Sequence, residues 1–200
     1  GYNIGYADKN DTIFYISNGL IPKRSKGYNW ADVVPGNTLK TLWKETYNIE
    51  DLPQVLQPKS GYVYNANHTP FKSSAEDDNP DKTQFDSAMG FETYDNNRST
   101  RLKTLIDQYE KIDYSDFKTI KYDTQYPKPY AFSWMDINHL ERLDPENHPN
   151  LKVLIERLQQ WDRKAIASSI GAGTFAIFYD QLRPFYQDLP EPKIFPPSIL

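Results

Sequence analysis

Fifteen prolines in 200 residues leave this chain few stretches long enough for regular structure, and those stretches change character once along the sequence. Proline cannot donate to a sheet ladder or continue a helix, so it punctuates both. Before residue 71 the uninterrupted runs are short and rich in β-branched and aromatic residues; from residue 97 they are longer and carry apolar residues at helical spacing. Strands first and helices second is the order of an α+β chain.

The strand readings are local. Residues 3–8 and 12–17 flank the turn cluster Lys9-Asn10-Asp11 and predict a hairpin. Residues 20–58 read as irregular, broken by Pro22, Gly27, Pro35, Gly36, Pro53 and Pro58, with one helical turn at 49–52. Residues 61–67 alternate and predict a third strand, which puts Asn65 and Asn67 on one face at its end. Leu102, Leu105, Ile106 and Tyr109 predict a helix over 98–110, and Ser115 is placed to cap a short one through Ile120. A short helix over 137–143 precedes Pro145. Leu151, Leu154, Ile155, Leu158 and Trp161 make the clearest stripe, and residues 171–182 another, with Ala172, Phe175, Ala176 and Tyr179 on one side. The expected layout is a β segment over 1–71, a polar loop over 72–96, a helical portion over 97–183, and an extended Pro-rich tail over 184–200. Both termini read as cut ends, so the chain is expected to be a fragment or a processed product.

Composition excludes several function classes. The net charge of −4 gives no cationic footprint for nucleic acid, no basic block suits a membrane surface, and no apolar run approaches a span. Cysteine is absent, which removes disulfides, thiolate metal sites and a thiol nucleophile. There is no GxSxG elbow and no phosphate-cradling GxxxxGK[ST]. His68, His139 and His148 lack metal-ligand spacing and read as surface or loop residues. The acidic run Glu76-Asp77-Asp78-Asn79-Pro80-Asp81 has oxygen donors but not the register of a calcium loop, so it reads as solvated. An Asn amide such as Asn67 is a neutral donor suited to an oxyanion hole, although from spacing alone a structural role at a strand end is the stronger reading. Arg98 heads a helix, where a cation opposes the macrodipole; a carboxylate partner or a cleft role explains that choice, and an exposed arginine curled into solvent is an equal alternative.

Three stretches carry a family resemblance. Asn3-Ile4-Gly5-Tyr6 and Phe14-Tyr15 lead into Asn18-Gly19-Leu20-Ile21-Pro22-Lys23-Arg24 and Tyr28-Asn29-Trp30. Leu52-Pro53-Gln54 and Gln57-Pro58-Lys59-Ser60-Gly61-Tyr62-Val63 precede Asn65-Ala66-Asn67-His68-Thr69-Pro70-Phe71, the most specific match. Asp78-Asn79-Pro80, Met89-Gly90-Phe91-Glu92 and Asn96-Asn97-Arg98 follow, and a weaker likeness resumes at Leu158-Gln159-Gln160-Trp161-Asp162. Together these resemble the penicillin acylase family of N-terminal-nucleophile (Ntn) hydrolases, on its acyl-homoserine-lactone and aculeacin acylase side.

The resemblance implies part of a four-layer αββα core and hydrolysis of a linear amide through an acyl-enzyme. It implies that Asn67 contributes to the oxyanion hole, that Arg98 lies beside the cleft, and that Asn65 and His68 support them or touch substrate. The nucleophile it implies is a serine at the start of a β-chain, acting with its own α-amine, upstream of these motifs. Gly1 has no side chain, and Ser17 and Ser25 are internal, so no nucleophile is expected in this chain. The implied partners are the remaining α- and β-chain segments and a small acyl amide; the implied location is periplasmic or extracellular. No cofactor is expected, and a calcium ion of the parent enzyme is assigned no ligand here. The rival reading is a noncatalytic module whose tyrosine-rich surface grips a peptide or glycan.

Overall fold

A computed structural model describes residues 1–131 and 137–187 of the chain. It has a mixed α+β fold that divides into two compact units, Gly1–Tyr94 and Asp95–Leu200.

The first unit holds a three-stranded antiparallel sheet in the order β1-β2-β3, with β1 Tyr2–Ala7, β2 Ile13–Asn18 and β3 Gln54–Leu56. The predicted hairpin forms because Asp8 closes it: its Oδ1 accepts the amides of Asn10 at 2.8 Å and Thr12 at 3.1 Å. Those bonds, Thr12 first, hold the Asp8 carboxyl below its usual value. The central strand buries Tyr15 and Ile16 on opposite faces, whereas every residue of β1 is exposed.

The third strand lies at Gln54–Leu56, not at 61–67, where the described backbone forms no ladder. Three residues are too few to announce a strand; register opposite residues 14–16 creates it. The long loop between β2 and β3 is less irregular than its prolines predict. Lys23 and Tyr47 donate across its base to Glu45 and Ile21 at 2.8 and 2.9 Å. Arg24 donates to the Ala88 carbonyl at 2.7 Å and lies over Trp30 and Trp43. The turn predicted at 49–52 is a 3₁₀ turn, Ile49–Asp51.

The second unit contains α1 Asn97–Ile106, α2 Tyr114–Lys121, α3 Lys152–Gln160 and α4 Ile170–Gln187. Its core gathers Tyr130, Ile137, Leu140, Leu158, Trp161, Phe175 and Leu182. The rings pack in offset and edge contacts, with Phe175 centred 5.1 Å from Trp161 and 5.6 Å from Tyr130. Residues 124–126 pair with 163–165, which delivers Tyr126 to that cluster. Arg163 stacks on Tyr130 at 4.1 Å, donates to the Pro127 carbonyl and pairs with Glu141.

Several local expectations need correction. Asp113, not Ser115, caps α2: its side chain accepts the Asp116 amide at 2.8 Å. Leu151 precedes the first turn of α3 and is exposed. Ala176 is exposed too, because the buried stripe of α4 runs through Phe175 and Leu182. The residues over 137–143 form a 3₁₀ helix, Ile137–Arg142. Pro184 lies inside α4, so 184–187 are helical rather than extended; burial of Leu182 carries the helix past a residue without an amide proton. The rest of the predicted tail, 188–200, lies outside the described residues.

Candidate active site

The motif-bearing stretch 58–80 is a knot of polar side chains that fold the chain back on itself. Asp78 accepts the amides of Lys59 and Ser60, each at 2.9 Å. The Ser60 hydroxyl, then the Ser60 and Lys59 amides, hold its carboxyl below the ordinary 3.8. Asn79 clamps the next turn, accepting the Ser74 amide at 2.9 Å and donating to the carbonyls of Ser74 at 3.2 Å and Ala75 at 2.9 Å. Ser74 donates its hydroxyl to the Tyr62 carbonyl at 2.8 Å, and its oxygen lies 3.0 Å from that of Ser60. Asp78 is therefore turned onto main-chain amides. Among the described residues no group of three or more His, Asp or Glu converges to hold a metal.

On this base sits the turn at residues 65–68. Asn65 Oδ1 accepts the Asn67 amide at 3.0 Å, an Asx turn rather than a strand end. Asn67 adopts φ +56, the left-handed region, where asparagine costs less than other side-chain-bearing residues. The predicted shared strand face of Asn65 and Asn67 therefore does not exist. Asn65 is half-buried and Asn67 is exposed.

His68 sits in this loop but is buried, not at the surface. Its Nδ1 accepts the Ala66 amide at 3.2 Å, so the neutral Nε2–H tautomer is the one that donates to the Lys72 carbonyl at 2.9 Å. Its ring stacks on Tyr64, centroids 4.9 Å apart. Thr69, 1% exposed, donates its amide to the Tyr94 carbonyl at 3.3 Å, and Pro70 opens a 3₁₀ turn.

One residue that sequence reasoning did not single out belongs to this site. Tyr15 of β2 is 1% exposed, and its hydroxyl accepts from Asn65 Nδ2 at 3.4 Å and donates to Asn3 Oδ1 at 2.9 Å. Burial pushes that hydroxyl up to about 12. A tyrosine in a strand and an asparagine fifty positions later have no local signature that links them.

Arg98 belongs to the second unit, in the first turn of α1, and is exposed. The helix start is secured around it by a reciprocal cap: Asn96 accepts the Ser99 amide at 3.0 Å and Ser99 Oγ accepts the Asn96 amide at 3.0 Å. Asn97 also accepts the Ala131 amide at 2.6 Å. The cap supplies what a cation at that position opposes.

A small three-stranded sheet followed by helices is a fold similar to that of a penicillin acylase. The thermostable penicillin G acylase from Alcaligenes faecalis superposes with a TM-score of 0.54 at 23% identity, over 81% of this chain and 27% of that one. The penicillin amidase family model matches residues 1–197, so the chain belongs to that family. Penicillin G acylase of Escherichia coli is 42% identical over 67 residues, which is 34% of this chain and 8% of that protein. The chain thus spans well under a third of the length of either relative.

Proposed function

We propose that this chain is a segment of a longer acylase that hydrolyses a linear amide through an acyl-enzyme, and that it supplies the oxyanion donor but not the nucleophile. The observation that carries the reading is the Asn67 turn. Asn65 Oδ1 and His68 Nδ1 accept the Asn67 and Ala66 main-chain amides, which fixes the backbone of the turn, and Asn67 is exposed on it. The Asn67 side-chain amide, carried on a backbone held this way, is the neutral donor assigned to the negative charge that grows on a carbonyl oxygen during acyl transfer. Arg98, on the second unit, is assigned to holding substrate, and Asn65 and His68 keep the turn in place. The attacking group is a serine at a chain start elsewhere in the protein, with its α-amine as base.

The partners are then the remaining α- and β-segments and a small acyl amide, the family's amide chemistry extended to this chain. Membership in this family also suggests an exported enzyme, periplasmic or extracellular. Among the described residues no helix is long and apolar enough to cross a membrane.

The test is Asn67→Ala in the longer protein. The rate of amide hydrolysis is expected to fall about 10²–10³-fold, the usual cost of one oxyanion donor. A rate within a factor of two of wild type refutes the assignment.

A second reading rests on one observation in the second unit. A concavity of about 660 Å³ is lined by Tyr126, Trp161, Phe175, Tyr179, Asp180 and Arg183. Aromatic faces with a charged rim suit a peptide side chain or a sugar ring. Quenching of Trp161 fluorescence by short oligosaccharides or peptides, in a protein that hydrolyses no amide, would favour this noncatalytic module.

A further inference from the structure

We infer that Tyr15 is a positioning residue for the Asn67 amide, acting through Asn65 along a hydrogen-bond relay that begins in β1. The inference rests on the oxyanion reading of Asn67. The polarity of the relay is fixed link by link. Asn65 Oδ1 is committed to the Asn67 amide at 3.0 Å, so its Nδ2 is the end that faces Tyr15. The Tyr15 oxygen accepts there at 3.4 Å, so its single proton goes to Asn3 Oδ1, 2.9 Å away. Asn3 and Tyr15 are diagonal neighbours on one sheet face, since Asn3 pairs with Ser17 and Gly5 with Tyr15.

The relay ties the buried central strand to a turn whose backbone is left-handed. Asn67 at φ +56 lies in a region that costs a side-chain-bearing residue about 1 kcal/mol or more, and such a conformation persists only where its surroundings over-determine it. Without the hydroxyl, Asn65 keeps its bond to the Asn67 amide but loses the contact that fixes its own torsion. The turn then samples orientations in which the Asn67 side chain misses the oxyanion. Misplacement of about 1 Å is enough to cost a large part of a catalytic interaction. Tyr15 is buried and its hydroxyl titrates at about 12, so the relay keeps one polarity across neutral pH.

The experiment is a double-mutant cycle in the full-length protein, assayed with chromogenic acyl-p-nitroanilides. Tyr15→Phe keeps the ring and removes only the hydroxyl. It is expected to lower kcat roughly tenfold, leave KM within twofold, and leave the shape of the neutral pH profile unchanged. In the Asn67→Ala background the same change is expected to lower kcat less than twofold, because the group being positioned is gone. Asn65→Ala, which removes the relay and the turn contact together, is expected to show the same dependence on background. Thermal melts of all variants separate loss of fold from loss of alignment.

An unchanged kcat for Tyr15→Phe, or an equal fall in both backgrounds, overturns the positioning role while Asn67 keeps its own. If Asn67→Ala is itself neutral, the oxyanion reading fails, and the positioning role fails with it.

Discussion

Gly171 in the first turn of α4 faces the Trp161 ring so closely that no side chain fits. A Cβ built there would lie 2.4 Å from both Cγ and Cδ1 of the indole and 2.7 Å from its Cβ. Ordinary contact needs about 3.4 Å or more, so ring and helix must part by roughly 1 Å. The ring is held by its neighbours. It is buried, Tyr126 and Phe175 lie 5.9 and 5.1 Å from it, and its Nε1 donates to the Lys164 carbonyl at 3.1 Å. Overpacking of this kind costs about 1–3 kcal/mol. The helix-propensity gain of alanine over glycine, at most about 1 kcal/mol, offsets part of that. Gly171→Ala is therefore expected to destabilise the second unit by about 1–2 kcal/mol, a Tm decrease of roughly 4–16 °C for a unit of this size. Equilibrium urea unfolding followed by indole fluorescence measures it, with Trp161 reporting on this unit. A variant as stable as wild type, or more stable, would mean that the indole yields freely and that the packing argument is wrong.

The remaining predictions concern charged groups. Arg101 grips Asp123 through Nε at 2.8 Å and Nη2 at 2.7 Å, tying α1 to the segment after α2; Asp123→Ala is expected to cost about 1–2 kcal/mol in a chemical melt. Arg101 first, then the Gln125 amide, holds the Asp123 carboxyl below the ordinary 3.8 against the opposing effect of burial. The native state then keeps Asp123 ionised where the unfolded chain has taken up a proton. Its stabilisation is complete above the unfolded value and is lost as the pH falls through the folded one. Asp78 behaves the same way through Ser60 and Lys59. Melts between about pH 2 and 6 should therefore show an acid limb that Asp123→Asn flattens; a limb of unchanged slope in that variant would remove Asp123 as its source.

Much of the architecture was legible because it is set locally. The hairpin at residues 2–18 and the helices α1, α3 and α4 follow from turn residues and apolar spacing within a few positions of each other. The family was also legible in the order of residues. The alternation at 61–67 misled: Tyr62 and Tyr64 set tilted rings 6.3 Å apart and Tyr64 stacks on His68 at 4.9 Å, so these side chains pack on one another rather than line a sheet face.

Tertiary structure decided the rest. It made Gln54–Leu56 a strand by setting it beside β2, turned Asp78 and Asn79 into clamps on residues 59–60 and 74–75, and brought a buried tyrosine under an asparagine turn. Sequence spacing carries local preferences, which act over a turn or a strand length. A hydrogen bond between residues fifty positions apart depends on where the whole chain has been folded, and no short pattern encodes that.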